Sequence, residues 1–273
     1  MPTRTHPQRR LLAWIEREVR GCRRTALRYA RSGSLRVARK ADGSPVTAAD
    51  RAVEERLRRA IARACPGERI LGEEYGESGR PGAAYWTIDP IDGTRAFSRG
   101  LPTWAIMVGR VERGRPVLGV CDFPELNTTM AAARGLGARE RLGSGAPSRF
   151  PRRRRAPALR DAVIFHGGWR WWERTPYARG FTALVRACFL ERAFGDCYGY
   201  LWLLRGRADA VVDYGVKPWD LVPLAALADE AGLAVTDCAG RRSFSGPETV
   251  MAPPDFARTI CRMFRRSHGT ARR

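Results

Sequence analysis

Two aspartates three residues apart, Asp89 and Asp92, lie where an apolar segment runs into a glycine turn at Gly93. Pro90 favours extended backbone for the residue before it, so we expect a strand to end at Asp89. Gly93 permits a tight turn that brings backbone amides forward. A helix starting near Thr94 would then offer free N–H groups to a phosphate beside a carboxylate-bound cation. Taken alone, such a pair more often marks a polar turn than a site.

Other carboxylates could complete a cation site, because a divalent cation such as Mg²⁺ needs more oxygen ligands than one turn supplies. Glu73 and Glu74 follow a short apolar strand, and a neighbouring parallel strand would align them with Asp89. Asp220 directly precedes an apolar helical segment, and Asp50 lies in the first turn of another. Each has a structural alternative: solvated loop charges for the glutamates, an N-cap for Asp220, and a capping-box partner for Asp50.

The elements that would position these residues alternate between helices and strands, without repeats. Apolar spacing predicts helices over residues 9–31, 175–188, 220–231 and 254–265, and one more that Thr47 would cap. Predicted strands cover residues 69–71, 85–88, 105–111, 116–122, 128–133, 162–165, 210–213, 233–236 and 249–251. The segment 134–157, rich in Arg, Gly and Pro, is the best linker candidate. The alternation predicts a layered α/β fold.

Length and composition favour one large domain or two tightly packed halves, since the chain has 273 residues and 44% hydrophobic content. We place the halves at residues 1–157 and 158–273. No apolar run approaches the roughly 18 residues that a membrane span needs. The basic start resembles a signal sequence, but Glu16, Arg17 and Glu18 interrupt its apolar stretch. Seven scattered cysteines indicate neither a disulfide framework nor a C-x-x-C pair, which favours a reducing cytoplasm.

The net charge of +21 raises the question of nucleic-acid binding. Arginines are spread along the chain, and the dense run at residues 152–155 falls in a predicted loop. No zinc finger, basic zipper or aromatic RNA-binding signature accompanies them, so we predict no specific nucleic-acid partner. A solvated basic surface is the favoured interpretation, with steering of anionic ligands or weak polyanion binding as the alternative.

Three segments together resemble the signature segments of the inositol monophosphatase family of metal-dependent phosphatases. They are Gly72-Glu73-Glu74, residues 86–94, and Trp219-Asp220 with a following helix that ends in Glu230-Ala231-Gly232. Their order and spacing fit as well, and the likeness runs from about residue 11 to residue 264. The resemblance implies a layered αβαβα sugar-phosphatase fold, a small phosphorylated metabolite as substrate, and a homodimer.

The resemblance also implies roles for individual residues. Two or three Mg²⁺ ions would bind a set of oxygen ligands, namely Glu73, Asp89, the main-chain carbonyl of Ile91, Asp92 and Asp220. Asp50 matches an additional acidic residue near the third, weaker metal. Gly93 and Thr94 would offer amides to the phosphate, while the Thr94 hydroxyl and Glu73 would orient the attacking water. Such metal-assisted hydrolysis requires no histidine, and we favour a structural or surface role for His166.

Substrate choice must come from groups outside the metal ligands. Four segments resemble the histidinol-phosphate phosphatase branch more than the inositol-specific one: residues 40–47, 95–97, 100–104 and 195–200. Asp196 and Asp213 match positions that face the organic part of the substrate, and Arg95 lies on the same side. Carboxylates there suit a cationic amine or an imidazole better than a neutral polyol. The implied reaction is hydrolysis of L-histidinol phosphate, in histidine biosynthesis.

Several features keep other substrates open. Residues 123–127, the arginine run at 152–155 and the cluster of Trp169, Trp171 and Trp172 do not follow that branch. For the tryptophans we favour packing over a lid on an aromatic substrate. Asp196 and Asp213 could instead balance local arginines, and Asp213 could bind a sugar hydroxyl. Inositol 1-phosphate or another cyclitol or amino-sugar phosphate is therefore an alternative, as is a catalytically silent relative that binds polyanions.

Overall fold

The structure is a computed structural model, and it describes residues 7–32, 37–39, 45–152 and 155–269. Residues 40–44 of one predicted substrate segment, residues 153–154 of the arginine run, and His6 lie outside the described residues. The described helices are α1 (Pro7–Ala30), α2 (Ala48–Ala64), α3 (Thr94–Phe97), α4 (Trp169–Trp172), α5 (Ala178–Ala187), α6 (Asp196–Leu204), α7 (Pro218–Ala231) and α8 (Pro254–Gly269).

Most of the strands precede residue 150, and the remaining five follow residue 162. The first group comprises β1 (Val37–Arg39), β2 (Pro45–Thr47), β3 (Glu68–Gly72), β4 (Gly76–Ser78), β5 (Arg80–Asp92), β6 (Ala105–Glu112), β7 (Arg115–Phe123), β8 (Thr128–Ala133), β9 (Gly137–Leu142) and β10 (Ser148–Arg149). The second comprises β11 (Val163–His166), β12 (Leu190–Arg192), β13 (Ala210–Tyr214), β14 (Ala234–Thr236) and β15 (Glu248–Ala252).

Five layers result from the packing of these elements, which confirms the predicted layered α/β fold. In the described part of the chain, a large sheet has eight strands in the order β10-β9-β8-β7-β6-β5-β3-β4, and a small sheet has five, β12-β11-β13-β15-β14. Helices α1 and α2 pack on the outer face of the large sheet. Helices α6 and α7 fill the space between the sheets. Helices α5 and α8 cover the outer face of the small sheet.

Helix α7 lies unusually close to the large sheet, because two paired strand positions carry glycine. Gly109 of β6 pairs with Gly119 of β7. A Cβ at Gly119 would lie 2.1 Å from the carbonyl oxygen of Pro223 in α7, and one at Gly109 would lie 2.7 Å from the Pro223 nitrogen. Only glycine at these positions lets the helix backbone contact the sheet backbone directly. The short distance between α7 and the sheet sets the position of Asp220, in the first turn of α7, relative to the strand ends.

The predicted linker at residues 134–157 is wrong for its first part. Residues 137–142 form β9, which pairs with β8 along its length. The strand was missed because its polar side chains suggest a loop. In the fold, Arg139 and Arg141 of β9 instead donate hydrogen bonds of 2.7 and 2.8 Å to the buried carboxylate of Glu16 in α1. The division into halves at residue 157 stays a prediction.

Strand β5 also differs from expectation, since it continues through Pro90 to Asp92. Its pairing with β6 shifts register between Asp89 and Asp92, where Pro90 has no N–H to donate to the ladder. The proline therefore interrupts the pairing of β5 with β6 locally but does not end the strand. Both carboxylates consequently belong to the end of one central strand.

Two further features of the fold concern its cysteines and its helices. All seven cysteines carry free thiols. Within the described residues, no helix is both long enough and apolar enough to cross a membrane.

Candidate active site

Three predicted metal ligands form a compact acidic cluster at one end of the large sheet. One carboxylate oxygen each from Asp89, Asp92 and Asp220 lies within 4.8 Å of the others. Asp89 and Asp92 are buried, and Asp220 is half-buried. Strands β3 and β5 run parallel, and the Glu73 backbone N–H donates to the Ile88 carbonyl at 3.1 Å. This confirms the expected alignment of Glu73 with Asp89, and it places a fourth carboxylate beside the cluster.

Helix starts hold two of the acidic side chains. Asp220 is the third residue of α7, and its Oδ2 accepts the backbone N–H of Lys217 at 2.8 Å. The predicted N-cap role is therefore wrong, because the helix already begins at Pro218. Asp50 is likewise the third residue of α2 and forms the predicted capping box with Thr47, whose N–H it accepts at 2.8 Å. One oxygen of each carboxylate is used for capping, which leaves the other for the site.

The turn after Asp89 is fixed by short hydrogen bonds. The Ile91 N–H donates to Asp89 Oδ1 at 3.0 Å, and the Thr94 hydroxyl donates to the Ile91 carbonyl at 3.0 Å. The same hydroxyl lies 3.4 Å from Asp50 Oδ1. Gly93 has φ of +82°, and a Cβ there would lie 3.2 Å from Asp196 Oδ2. Glycine is therefore required at this turn, on both conformational and steric grounds.

A buried carboxylate that the sequence analysis missed anchors the loop after Glu73. Glu54 of α2 is fully buried, and it accepts the backbone N–H groups of Glu74 at 2.7 Å and Tyr75 at 3.2 Å. Arg58 neutralises it through a hydrogen bond of 2.7 Å and also bonds the Ser78 hydroxyl at 2.8 Å. The signal was available, since Glu54 and Arg58 are four residues apart on one helix face.

Crowding and burial make these carboxylates resist ionisation. Burial, followed by repulsion from Glu73, Asp92 and Asp220, raises the pKa of Asp89 well above its usual range. Burial likewise raises the pKa of Asp92 strongly, that of Asp220 to about 7 and that of Asp50 to about 6. A bound cation would remove this repulsion, and an all-oxygen donor set suits a hard divalent ion such as Mg²⁺. The residues therefore fit the metal that the resemblance implies.

A pocket of about 280 Å³ opens beside the cluster and brings together eight of the eleven predicted site residues: Glu73, Asp92, Gly93, Thr94, Arg95, Asp196, Asp213 and Asp220. The other three, Asp50, Asp89 and Ile91, contact this set through the bonds described above. Metal-side and substrate-side residues thus share one cavity.

The substrate side of the pocket contains two carboxylates in different settings. Asp213 of β13 is buried and accepts the Tyr200 hydroxyl at 3.1 Å, and burial raises its pKa strongly. Asp196 begins α6 and keeps solvent access through the pocket. Partial desolvation raises its pKa, and the positive charge of Arg95 opposes that rise. Tyr200 was missed because α6 was not predicted, although Asp196 and Tyr200 are four residues apart and so share a helix face.

The tryptophan cluster separates into three environments. Trp172 is fully buried and stacks between Phe181 and Phe264, at centroid distances of 4.9 and 5.3 Å. Trp169 is 47% exposed and contacts Phe181 outside the pocket. Trp171 lines the pocket. The packing interpretation therefore holds for Trp172, whereas for Trp171 both packing and a contact with substrate stay open.

His166 has contacts that support a structural role. It is buried at the end of β11, and its Nε2 lies 2.7 Å from Glu191 Oε2. Its Nδ1 accepts the Gly168 N–H at 3.1 Å, which places the ring proton on Nε2, facing Glu191. The ring thereby holds the turn at Gly168 from which α4 begins.

Comparisons with known proteins identify the family and agree with the fold. The profile of the inositol monophosphatase family matches residues 13–268. A histidinol-phosphatase from Mycobacterium tuberculosis is 36% identical over 206 residues, 76% of this chain and 79% of that protein. An inositol-1-monophosphatase from Mycobacterium bovis is 31% identical over 261 residues, 92% of this chain and 89% of that protein. The solved structure of a Thermotoga maritima IMPase superposes with a TM-score of 0.79 at 26% identity, over 94% of this chain and 97% of that one.

Proposed function

This chain belongs to the inositol monophosphatase family, and we propose that it hydrolyses L-histidinol phosphate to L-histidinol and phosphate with bound Mg²⁺. The family and enzyme class expected from the sequence are confirmed: the protein is a phosphatase, a hydrolase of phosphomonoesters. Its family is metal-dependent and acts on small phosphorylated substrates. The metal identity, the substrate and the residue roles that follow are proposals.

The metal ligands that we propose are Glu73, Asp89, the Ile91 carbonyl, Asp92 and Asp220, with two or three Mg²⁺ ions per site. Support comes from the 4.8 Å clustering of three carboxylates and from the raised pKa of Asp89, which burial causes first and repulsion from the neighbouring carboxylates second. Bound Mg²⁺ would neutralise the phosphate dianion and lower the pKa of a water molecule.

Thr94 and Glu73 are the proposed water-positioning groups, and Asp50 supports them. The Thr94 hydroxyl has one proton and two carboxylate or carbonyl acceptors within 3.4 Å. Its lone pairs therefore remain open to accept a hydrogen bond from the attacking water. Gly93 and Thr94 line the same pocket, and we assign phosphate binding to their backbone amides. Glu73 lines this pocket as well, which is why we assign it, with Thr94, to the attacking water.

The observation that favours a cationic leaving group is the second pair of carboxylates, Asp196 and Asp213, in the same pocket as the acidic cluster. Bound metal ions would neutralise the cluster but not this pair. Burial disfavours the ionised form of Asp213, and an ammonium or imidazolium group beside it would stabilise that form, whereas a neutral polyol would not. L-histidinol carries both groups.

The inositol alternative has one observation in its favour, the Mycobacterium bovis relative that matches nearly the whole chain. A phosphate-release screen decides between the two. Purified protein with Mg²⁺ would be assayed on L-histidinol phosphate, inositol 1-phosphate and fructose 1,6-bisphosphate, with EDTA as the metal-free control. We expect kcat/KM to be highest for histidinol phosphate. A higher value for inositol 1-phosphate would contradict the proposed substrate.

We also propose a homodimer and a cytoplasmic location. Phe189 is 72% exposed and Phe194 is 40% exposed, and they flank β12, the edge strand of the small sheet. An uncovered edge strand with apolar neighbours is suited to a second copy of the chain. Light scattering should give twice the 30.5 kDa of one chain, and a monomeric mass at micromolar concentration would contradict the dimer. Free thiols on all seven cysteines fit a reducing compartment.

A further inference from the structure

Trp171 occupies a seat made by glycines at the mouth of the pocket. A Cβ at Gly215 would lie 3.0 Å from Cε3 and Cζ3 of the Trp171 indole, and a Cβ at Gly167 or Gly168 would lie 3.9 Å from its Cδ1. Gly215 also has φ of +92°, a conformation that other residues rarely adopt. Gly215 therefore makes room for this ring, while Gly167 and Gly168 lie within ordinary van der Waals distance of its edge.

The ring is held without being buried. Trp171 remains 43% exposed, whereas the adjacent Trp172 is fully buried in the core. The Arg95 guanidinium lies 5.0 Å from the centroid of the Trp171 ring, a cation–π distance. Arg95 belongs to α3, next to the proposed phosphate-binding turn, while Trp171 belongs to α4 in the second half of the chain. The pair thus spans the pocket mouth.

The charges around the ring suit one class of leaving group. Asp196 and Asp213 line the same pocket as Trp171, and the Arg95 charge acts on Asp196. A flat cationic or heteroaromatic group between these carboxylates and the indole would gain both charge pairing and an aromatic contact. An aliphatic ammonium would gain charge pairing and a cation–π contact but has no planar ring to stack on the indole.

We propose that Trp171 is a specificity-determining residue, an aromatic wall that favours phosphate esters with a planar heteroaromatic leaving group, and that Arg95 fixes the orientation of its ring. The inference rests on the proposed function, because Trp171 would recognise one part of the proposed substrate, the ring of its leaving group. This role also explains why glycine at position 215 leaves room for a bulky, half-exposed aromatic side chain.

The test compares two substrates with the same amino-alcohol phosphate: L-histidinol phosphate, which has the imidazole, and L-alaninol phosphate, which does not. The ratio of their kcat/KM values would be measured for wild type, Trp171→Leu and Trp171→Phe. We expect Trp171→Leu to lower the ratio about tenfold, as for loss of one aromatic contact. Trp171→Phe should restore most of it.

Trp169→Leu is the matched control, since it removes another exposed tryptophan from the same short helix but outside the pocket, and its ratio should equal that of wild type. A Trp171→Leu ratio within twofold of wild type would overturn the inference, as would an equal loss of ratio in Trp169→Leu. Wild-type protein that hydrolyses inositol 1-phosphate but not histidinol phosphate would instead contradict the proposed function. Melting temperatures of all variants would exclude unfolding as the cause.

Discussion

At the scale of single residues, the acidic side chains of the site are held in positions where their own ionisation is unfavourable. Asp220 shows this most clearly, because burial raises its pKa to about 7 from an ordinary value near 3.9. The folded protein therefore binds a proton at Asp220 that the unfolded chain has already released. Its position is stable when the group is protonated or when a cation replaces the proton.

This predicts a pH-dependent effect of Mg²⁺ on stability. A raised folded-state pKa contributes stability that is complete at low pH and is lost as pH rises from about 4 to about 7. Mg²⁺ binds the ionised form, so the increase in melting temperature that Mg²⁺ causes over EDTA should be larger at pH 8 than at pH 5.5. Thermal denaturation at both pH values measures it. Equal increases at the two pH values would contradict the prediction, and Asp220→Asn should reduce the difference.

The substrate-side carboxylates give a second prediction at this scale. Asp213→Asn keeps the shape and the acceptor for Tyr200 but removes the carboxylate that a cationic substrate group would hold in its ionised form. Hydrogen bonds to charged groups contribute about 1.5 to 3 kcal/mol, so the ratio of kcat/KM for histidinol phosphate over inositol 1-phosphate should fall by about 10- to 100-fold. Steady-state phosphate release measures the ratio. Asp161→Asn, an exposed position, is the control, and an unchanged ratio in Asp213→Asn would remove the charge argument.

Sequence reasoning performs unevenly at this scale, for a physical reason. Asp89, Asp92 and Asp220 can be predicted as site residues because each belongs to a short sequence motif. Tyr200 and Glu54 were not predicted, since their roles depend on contacts made by distant segments. Glu54 resembles any helix-surface glutamate in sequence, yet it is fully buried beneath the loop after Glu73.

At the scale of elements, the site depends on how α7 meets the large sheet. Gly109 and Gly119 allow backbone contact with Pro223, and α7 begins only five residues before that proline. The helix position consequently sets where Asp220 lies relative to Asp89 and Asp92. A substitution on this face of the sheet should therefore change the affinity for Mg²⁺.

Gly119→Ala tests this coupling. Its Cβ would lie 2.1 Å from the Pro223 carbonyl oxygen, so the helix must move. We expect the free energy of unfolding to fall by about 1 to 3 kcal/mol, as for overpacked cores, together with weaker Mg²⁺ binding. Denaturant unfolding and calorimetric titration measure the two effects. Gly82→Ala is the control because its Cβ would meet its nearest neighbour at 3.9 Å. Unchanged Mg²⁺ affinity in Gly119→Ala would contradict the coupling.

Elements with strong periodicity were predictable, and those whose pattern depends on partners were not. The amphipathic spacing of α1 and the capping sequence of α2 predicted both helices within a few residues of their bounds. Helix α6 is buried on most sides between two sheets, so its sequence has little amphipathic contrast. Strand β9 appears polar because its arginines pair with Glu16, a residue more than 120 positions away in sequence.

At the scale of the whole molecule, a strongly basic surface surrounds an acidic site. The net charge of +21 attracts anions at long range, whereas the carboxylates at the centre hold cations at short range. The basic surface attracts a phosphorylated metabolite. Once metal ions neutralise the carboxylates, the acidic site no longer repels it. We propose that this charge steers the substrate, a role that requires no nucleic-acid partner.

Electrostatic steering of the substrate predicts that salt lowers kcat/KM more than kcat. Between 20 and 300 mM NaCl at constant Mg²⁺, kcat/KM for histidinol phosphate should fall about two- to fivefold because screening shortens the reach of the surface charge. The value of kcat should change little. Initial rates across the salt series measure both. A fall confined to kcat would indicate an effect on chemistry or release, and would contradict steering.

The proposed hydrolysis depends on the acidic cluster acting as a metal centre. The most direct measurement is phosphate release from L-histidinol phosphate by protein first stripped with EDTA and then supplied with Mg²⁺, for wild type and Asp92→Asn. Asp92 is chosen because it belongs to the cluster and lines the pocket. We predict that Mg²⁺ restores wild-type activity and that Asp92→Asn, although folded, is at least about 1,000-fold slower, a loss of roughly 4 kcal/mol in transition-state stabilisation. Near-wild-type, Mg²⁺-dependent activity in folded Asp92→Asn would contradict the proposed metal centre.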